Sequence, residues 1–218
     1  SEYGSEGNPS VDCDSLIKMN NNIQSGFYYI KITCNDKVLK VYCDFNSFKG
    51  KGIDYYIYEN NIQNNDDDIP YIKIINYNSI RYQCAKKGLY PIQIQNKQMI
   101  QTINTILSKK YTQQQYIIPI GYDYSCDNQN KCSGQFHSLN TINSISINKF
   151  ISFSLPSQTN NTMICLTNTG VSTFNPLQHI INSDITAFIC STNNHIDSQV
   201  NRFHYKYISC GLTLGNNI

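Results

Sequence analysis

The sequence predicts a mainly β, disulfide-stabilised single domain with one short N-terminal helix. Three observations predict that class. Short runs rich in Ile, Tyr and Phe alternate with Asn, Asp, Gly and Pro turn signals. No long 3.6-residue periodicity runs through them. Nine cysteines in 218 residues is the density of a secreted chain rather than a cytosolic one. A chain of this length is long enough to bury a proper core as one domain. Charged residues are 15%, against about 25% in a typical soluble domain. The formal net charge of +2 is small and spread along the chain, which excludes an electrostatic nucleic-acid binder. Ile and Asn are abundant, partly through AT-rich codon usage, so Asn-rich stretches carry little functional weight.

Residues 1–11 (SEYGSEGNPSV) are polar and read as a flexible lead-in, with the domain itself covering 12–218. A short helix is expected from Asp14 to about Asn20, with Asp12 or Asp14 near its N-terminus. Gly26 then opens a β-hairpin that turns at Asn35-Asp36 and returns through Val38 to Phe45. Ile53 to Tyr58 is a further strand, and Glu59 to Pro70 is a loop carrying the acidic run Asp66, Asp67 and Asp68. Strands are expected at Tyr71–Ile75, Leu89–Ile94, Met99–Ile106 and Tyr116–Ile120. Further strands are expected at Ile142–Ile147, Phe150–Leu155, Ile185–Cys190 and His204–Cys210. No internal repeat and no composition shift marks a second domain.

The cysteine count is odd, so one is free or paired with another chain. No C-x-x-C pair exists to make a zinc knuckle. The helix and hairpin would bring Cys13 beside Cys43, closing a loop of about 31 residues and stabilising the fold by roughly 3–4 kcal/mol. Cys34 is the alternative partner for either. Cys126 and Cys132 enclose a short polar loop and form a second expected bridge. Among Cys34, Cys84, Cys165, Cys190 and Cys210, two more bridges and one thiol are expected, with Cys190–Cys210 preferred because two expected strands could lie side by side. The compartment reads as oxidising. The chain begins at Ser1 without Met or a leader, as a trimmed ectodomain segment would. No run approaches 18 apolar residues, so any membrane anchor is expected outside this segment.

One block of residues carries a resemblance. Cys13-Asp14-Ser15-Leu16, then Gly26-Phe27-Tyr28-Tyr29-Ile30, then Val41-Tyr42-Cys43-Asp44 resembles the opening of fibrinogen-like domains. The same opening is found in the GON domain at the C-terminus of ADAMTS-type metalloproteases. A fibrinogen-like domain continues into Gly-Gly-Trp-Thr, and this chain has no Trp. The GON continuation, a Cys segment leading into K-C-x-x-G-x-F-S, is similar to Tyr124-Ser125-Cys126 followed by Lys131-Cys132-Ser133-Gly134-Gln135-Phe136-His137-Ser138. Tyr82-Gln83-Cys84-Ala85-Lys86 and the Ile-rich stretch after it also resemble the family. The likeness covers about 12–155. The last third departs, because Cys165, Cys190 and Cys210 lack the family's tight Gly- and Cys-rich spacing. The resemblance implies a non-catalytic module that binds, anchors or adheres.

The residues themselves point the same way. His137, His179, His195 and His204 are scattered, and no nucleophile elbow, phosphate loop or zincin motif occurs, so no enzyme and no cofactor is expected. Asp123, Asp127, Asn128 and Asn130 could offer oxygens to Ca²⁺, but no bidentate Glu is near and a solvated turn is the simpler reading. Asn160-Asn161-Thr162 is a glycosylation sequon, which would make the chain a glycoprotein. A rigid β scaffold presents function on its loops, and the loop closed by Cys126 and Cys132 is pre-ordered. Tyr122, Tyr124, Asp127 and Asn128 are therefore the expected partner-binding residues. The expected partner is another extracellular or membrane protein, bound by a secreted or cell-surface module. Two competing readings are a disulfide cross-linked matrix or coat component, and a calcium-dependent glycan-binding lectin.

Overall fold

The computed structural model describes residues 1–32, 37–59, 77–92, 94–126, 132–136, 162–174 and 185–192. In chain order the elements are α1 (Cys13–Met19), β1 (Gly26–Lys31), β2 (Val38–Asp44), β3 (Ile53–Glu59), α2 (Tyr77–Lys86), β4 (Tyr90–Pro91), α3 (Lys97–Lys110), β5 (Ile117–Cys126), β6 (Cys132–Phe136), β7 (Thr162–Thr167), β8 (Gly170–Phe174) and β9 (Ala187–Ser191). The protein is β-rich, with two sheets of order β1-β2-β3-β9-β4 and β6-β5-β7-β8, and it is stapled by disulfides. The chain divides into two compact units: residues 1–57, 81–92 and 189–218, and residues 58–80 and 93–188.

In the first unit, α1 begins where Asp12 caps it. The Asp12 carboxylate accepts from the Ser15 amide at 2.7 Å and from the Ser15 hydroxyl at 2.7 Å. Cys13, Leu16 and Ile17 form the buried stripe of this helix. Cys13 is bonded to Cys43 on β2, the bridge expected from the hairpin, with Cα atoms 5.5 Å apart. Next to it Gly52 lies so close that a Cβ there would stand 2.4 Å from the Cys13 carbonyl oxygen. Only a residue without a side chain fits that approach.

The hairpin alternates as expected. Ile30, Leu39, Val41 and Cys43 are buried, while Phe27, Lys31, Val38 and Lys40 are exposed. The segment read as a flexible lead-in is hydrogen-bonded along the outer edge of β1. The Tyr29 amide donates to Gly4 O, the Ser10 amide to Tyr29 O and the Lys31 amide to Ser10 O, at 2.8, 3.0 and 2.7 Å. Backbone groups on a sheet edge need partners, and here the chain's own start supplies them. On the other side, the Ile92 amide donates to Ile189 O, and Tyr90 and Pro91 pair with Ser191 and Cys190.

One expected bridge is replaced by another. Cys190 is bonded to Cys84 on α2, 106 positions away, so Cys190–Cys210 does not form. The antiparallel pairing of β9 with β4, immediately after α2, sets Cys190 near the helix end that carries Cys84. Cys34 and Cys210 lie outside the described residues.

In the second unit the stretch expected as the strand Met99–Ile106 is the middle of α3. Met99, Ile103, Ile106 and Leu107 are buried, a stripe at helical spacing. Asn96 caps it by accepting from the Met99 amide at 2.9 Å, and Lys109 and Lys110 lie in its last turn. Burial of that stripe outweighs the β-propensity of its isoleucines. β5 carries Pro119 in a central strand, tolerated because the pairing with β7 slips between Pro119 and Tyr122 at a bulge where Gly121 has φ +99°. The β7–β8 hairpin turns at Asn168-Thr169, and the Asn168 side chain accepts from the Tyr116 amide at 2.7 Å and donates to Gln114 O at 2.7 Å. The expected strands at Tyr116–Ile120 and Ile185–Cys190 match β5 and β9, and Leu89–Ile94 shrinks to β4. The expected strands at 71–75, 142–147, 150–155 and 204–210 lie outside the described residues.

Candidate functional site

The outer face of β1 and β2 gathers aromatic rings around a lysine. Antiparallel register sets Phe27 opposite Tyr42, Tyr29 opposite Lys40 and Lys31 opposite Val38. These six positions share one face by strand alternation. Phe27 is 57% exposed and Val38 37%, large values for apolar side chains. The Phe27 and Tyr42 rings meet edge to face, with centroids 5.3 Å apart and an interplanar angle of 85°. The Lys40 ammonium stands 5.5 Å from the Phe27 centroid and 6.0 Å from that of Tyr29. Partial burial and the Asp44 charge push the Tyr42 hydroxyl above its ordinary pKa, so it remains a donor across the physiological range. The backbone edge of β1 is closed by residues 4–10, so this surface offers side chains rather than an open strand.

Two carboxylates on the neighbouring strand segments, Asp44 on β2 and Asp54 on β3, are fully buried. Asp44 accepts from the Asn46 amide at 2.9 Å, the Ser47 amide at 3.0 Å, the Ser47 hydroxyl and the Tyr55 hydroxyl at 2.8 Å. Burial, with Asp44 beside it, holds the Tyr55 hydroxyl far above its ordinary pKa. Asp54 accepts from the Thr192 amide at 2.6 Å, the Thr192 hydroxyl, and the Ser191 hydroxyl at 3.4 Å. Its burial nevertheless raises the carboxyl to about 6, with a smaller contribution from the Asp12 charge. Both acids are tied to neighbouring chain, which makes them anchors of the scaffold.

The β5–β6 hairpin is the site expected from sequence. Its register pairs Tyr122 with Phe136, Tyr124 with Gly134, and Cys126 with Cys132. The two cysteines thus hold facing register positions on β5 and β6. Tyr122 and Tyr124 have the same parity and belong to one face of β5. Asp127, Asn128, Asn160 and all four histidines lie outside the described residues. No group of three or more His, Cys, Asp or Glu suited to a metal ion occurs among the described residues.

Sequence reasoning favoured the tyrosine loop and passed over Phe27. The signal was present: Phe27, Tyr29 and Lys31 alternate with Tyr28 and Ile30, so the first set must face away from the core. The disulfides Cys13–Cys43 and Cys84–Cys190 fit folding in an oxidising environment. Among the described residues no helix is long and apolar enough to cross a membrane. Compared with family models, curated proteins and solved structures, the chain matches none.

Proposed function

We propose that the chain is a non-catalytic, GON-like protein-binding module of a secreted or cell-surface protein. The observation that supports this reading best is the pairing of a covalent frame with an exposed aromatic face. Cys13–Cys43 fixes α1 to β2, and the other side of the same hairpin presents Phe27 to solvent beside the half-buried Tyr29 and Tyr42. A rigid strand pair loses little entropy when its side chains are immobilised on a partner. Exposed aromatics gathered on one face are what protein interfaces enrich. The β5–β6 hairpin, with Cys126 opposite Cys132 in register, is a second element of the same reading.

The test is binding of the purified, oxidised protein to intact cells of the organism that produces it. Saturable binding that is abolished by trypsin treatment of the cells, and that survives a chelator, is expected. Chelator-sensitive binding that survives trypsin but is lost on glycosidase treatment would replace this reading with the lectin. Disulfide-linked multimers recovered from the matrix, with no saturable cell binding, would replace it with the structural component.

A further inference from the structure

The chemistry of the β1–β2 face narrows the partner. The Lys40 ammonium lies over the rings of both Phe27 and Tyr29. One face of each of those rings therefore already meets a cation. What remains outward is an ammonium, the exposed flank of Phe27, the Val38 side chain and the Tyr42 hydroxyl. The Lys40 side chain is exposed, so this face carries a cation. The nearest carboxylate on these strands, Asp44, is buried and takes its hydrogen bonds from Asn46, Ser47 and Tyr55. A carboxylate flanked by apolar side chains complements this arrangement. Its oxygens meet Lys40 while its neighbours pack on Phe27 and Val38.

We propose that the outer face of β1 and β2 docks an acidic segment of a partner protein, in which carboxylates alternate with apolar side chains. The proposal rests on the protein-binding reading above and names its surface and partner class. An extended acidic segment matches the spacing, because Phe27, Tyr29 and Lys31 along β1 and Val38, Lys40 and Tyr42 along β2 repeat every second residue.

The probes are two fluorescent peptides of equal length, one alternating Leu with Glu and the other Leu with Gln, followed by fluorescence anisotropy on the oxidised protein. The Glu peptide is expected to bind at least about 10-fold more tightly than the Gln peptide, and less tightly as salt is raised. Lys40→Glu and Phe27→Ser are each expected to weaken it by about 10-fold or more, the scale of an interface hot spot. Both positions are exposed, and an unchanged melting temperature shows that the variants fold. Equal affinity for the two peptides, or no loss in either variant, overturns the proposal. So does heparin displacing the peptide with an affinity that Phe27→Ser leaves intact, which would mark a site for anionic saccharide. The two variants are also taken into the cell-binding assay. Undiminished cell binding overturns this surface and leaves the module reading standing, whereas absence of cell binding by the unsubstituted protein removes both.

Discussion

Asp54 is expected to make the stability of the protein fall with rising pH. It is fully buried on β3 and raised from 3.8 to about 6, chiefly by burial. Between those two values the folded chain holds a proton that the unfolded chain has released. Stability must then fall as pH rises through the window. The shift of about two units corresponds to about 3 kcal/mol in all, of which about 2 kcal/mol is lost between pH 4 and pH 8, with the loss essentially complete above about pH 7. Asp54→Asn keeps an oxygen for the Thr192 amide and removes the titration. The assay is urea unfolding followed by circular dichroism, with disulfides intact, at steps from pH 4 to pH 8. The quantity that isolates Asp54 is the stability of the parent protein minus that of the Asn variant. It is expected to drop by about 2 kcal/mol as pH rises across the range, because every other titrating group is common to both. A difference that stays constant would refute the reasoning. A difference that grows with pH would show that the three donors from Ser191 and Thr192 outweigh burial. Asp12→Asn, which removes the neighbouring charge yet retains a good helix cap, is expected to move the window toward lower pH.

Three further outcomes are expected. Replacing both Cys84 and Cys190 with Ser removes a bridge closing 106 residues, and urea unfolding should show a loss of about 4–5 kcal/mol on the chain-entropy model; peptide mapping under non-reducing conditions should recover Cys84 linked to Cys190. Tyr55→Phe withdraws the 2.8 Å donor from the buried Asp44 carboxylate and should cost about 1–3 kcal/mol by the same measurement. Gly52→Ala sets a methyl group against the Cys13 backbone and the Phe45 ring, and a loss of about 1–3 kcal/mol with an unchanged denaturant slope is expected.

The parts of the fold that follow from neighbouring residues were legible in the sequence. Asp12 ahead of an apolar stripe marks α1, because a carboxylate one position before the helix can meet its orphan amides. Strict alternation from Gly26 to Cys43 marks the hairpin and, with α1, the Cys13–Cys43 bridge. The facing positions of Cys126 and Cys132 follow from the short polar loop between them. Helix α3 was read as a strand because Ile103 and Ile106 favour extended backbone. The same residues with Met99 and Leu107 also make a helical stripe, and local sequence does not choose between the two.

The sequence by itself determined the mainly β class, the first helix and hairpin, and the oxidising setting. Tertiary structure decided the rest, because the deciding partners are remote in the chain. Cys84 and Cys190 are 106 positions apart, and nothing near either one points to the other. Asp54, in a run whose other members are apolar or aromatic, gives no sign that it is buried. Thr192, 138 positions later, supplies the hydrogen bonds that make its burial tolerable. A buried charge is stable only where the fold brings donors to it, and that meeting is set by sheet order rather than by local propensity.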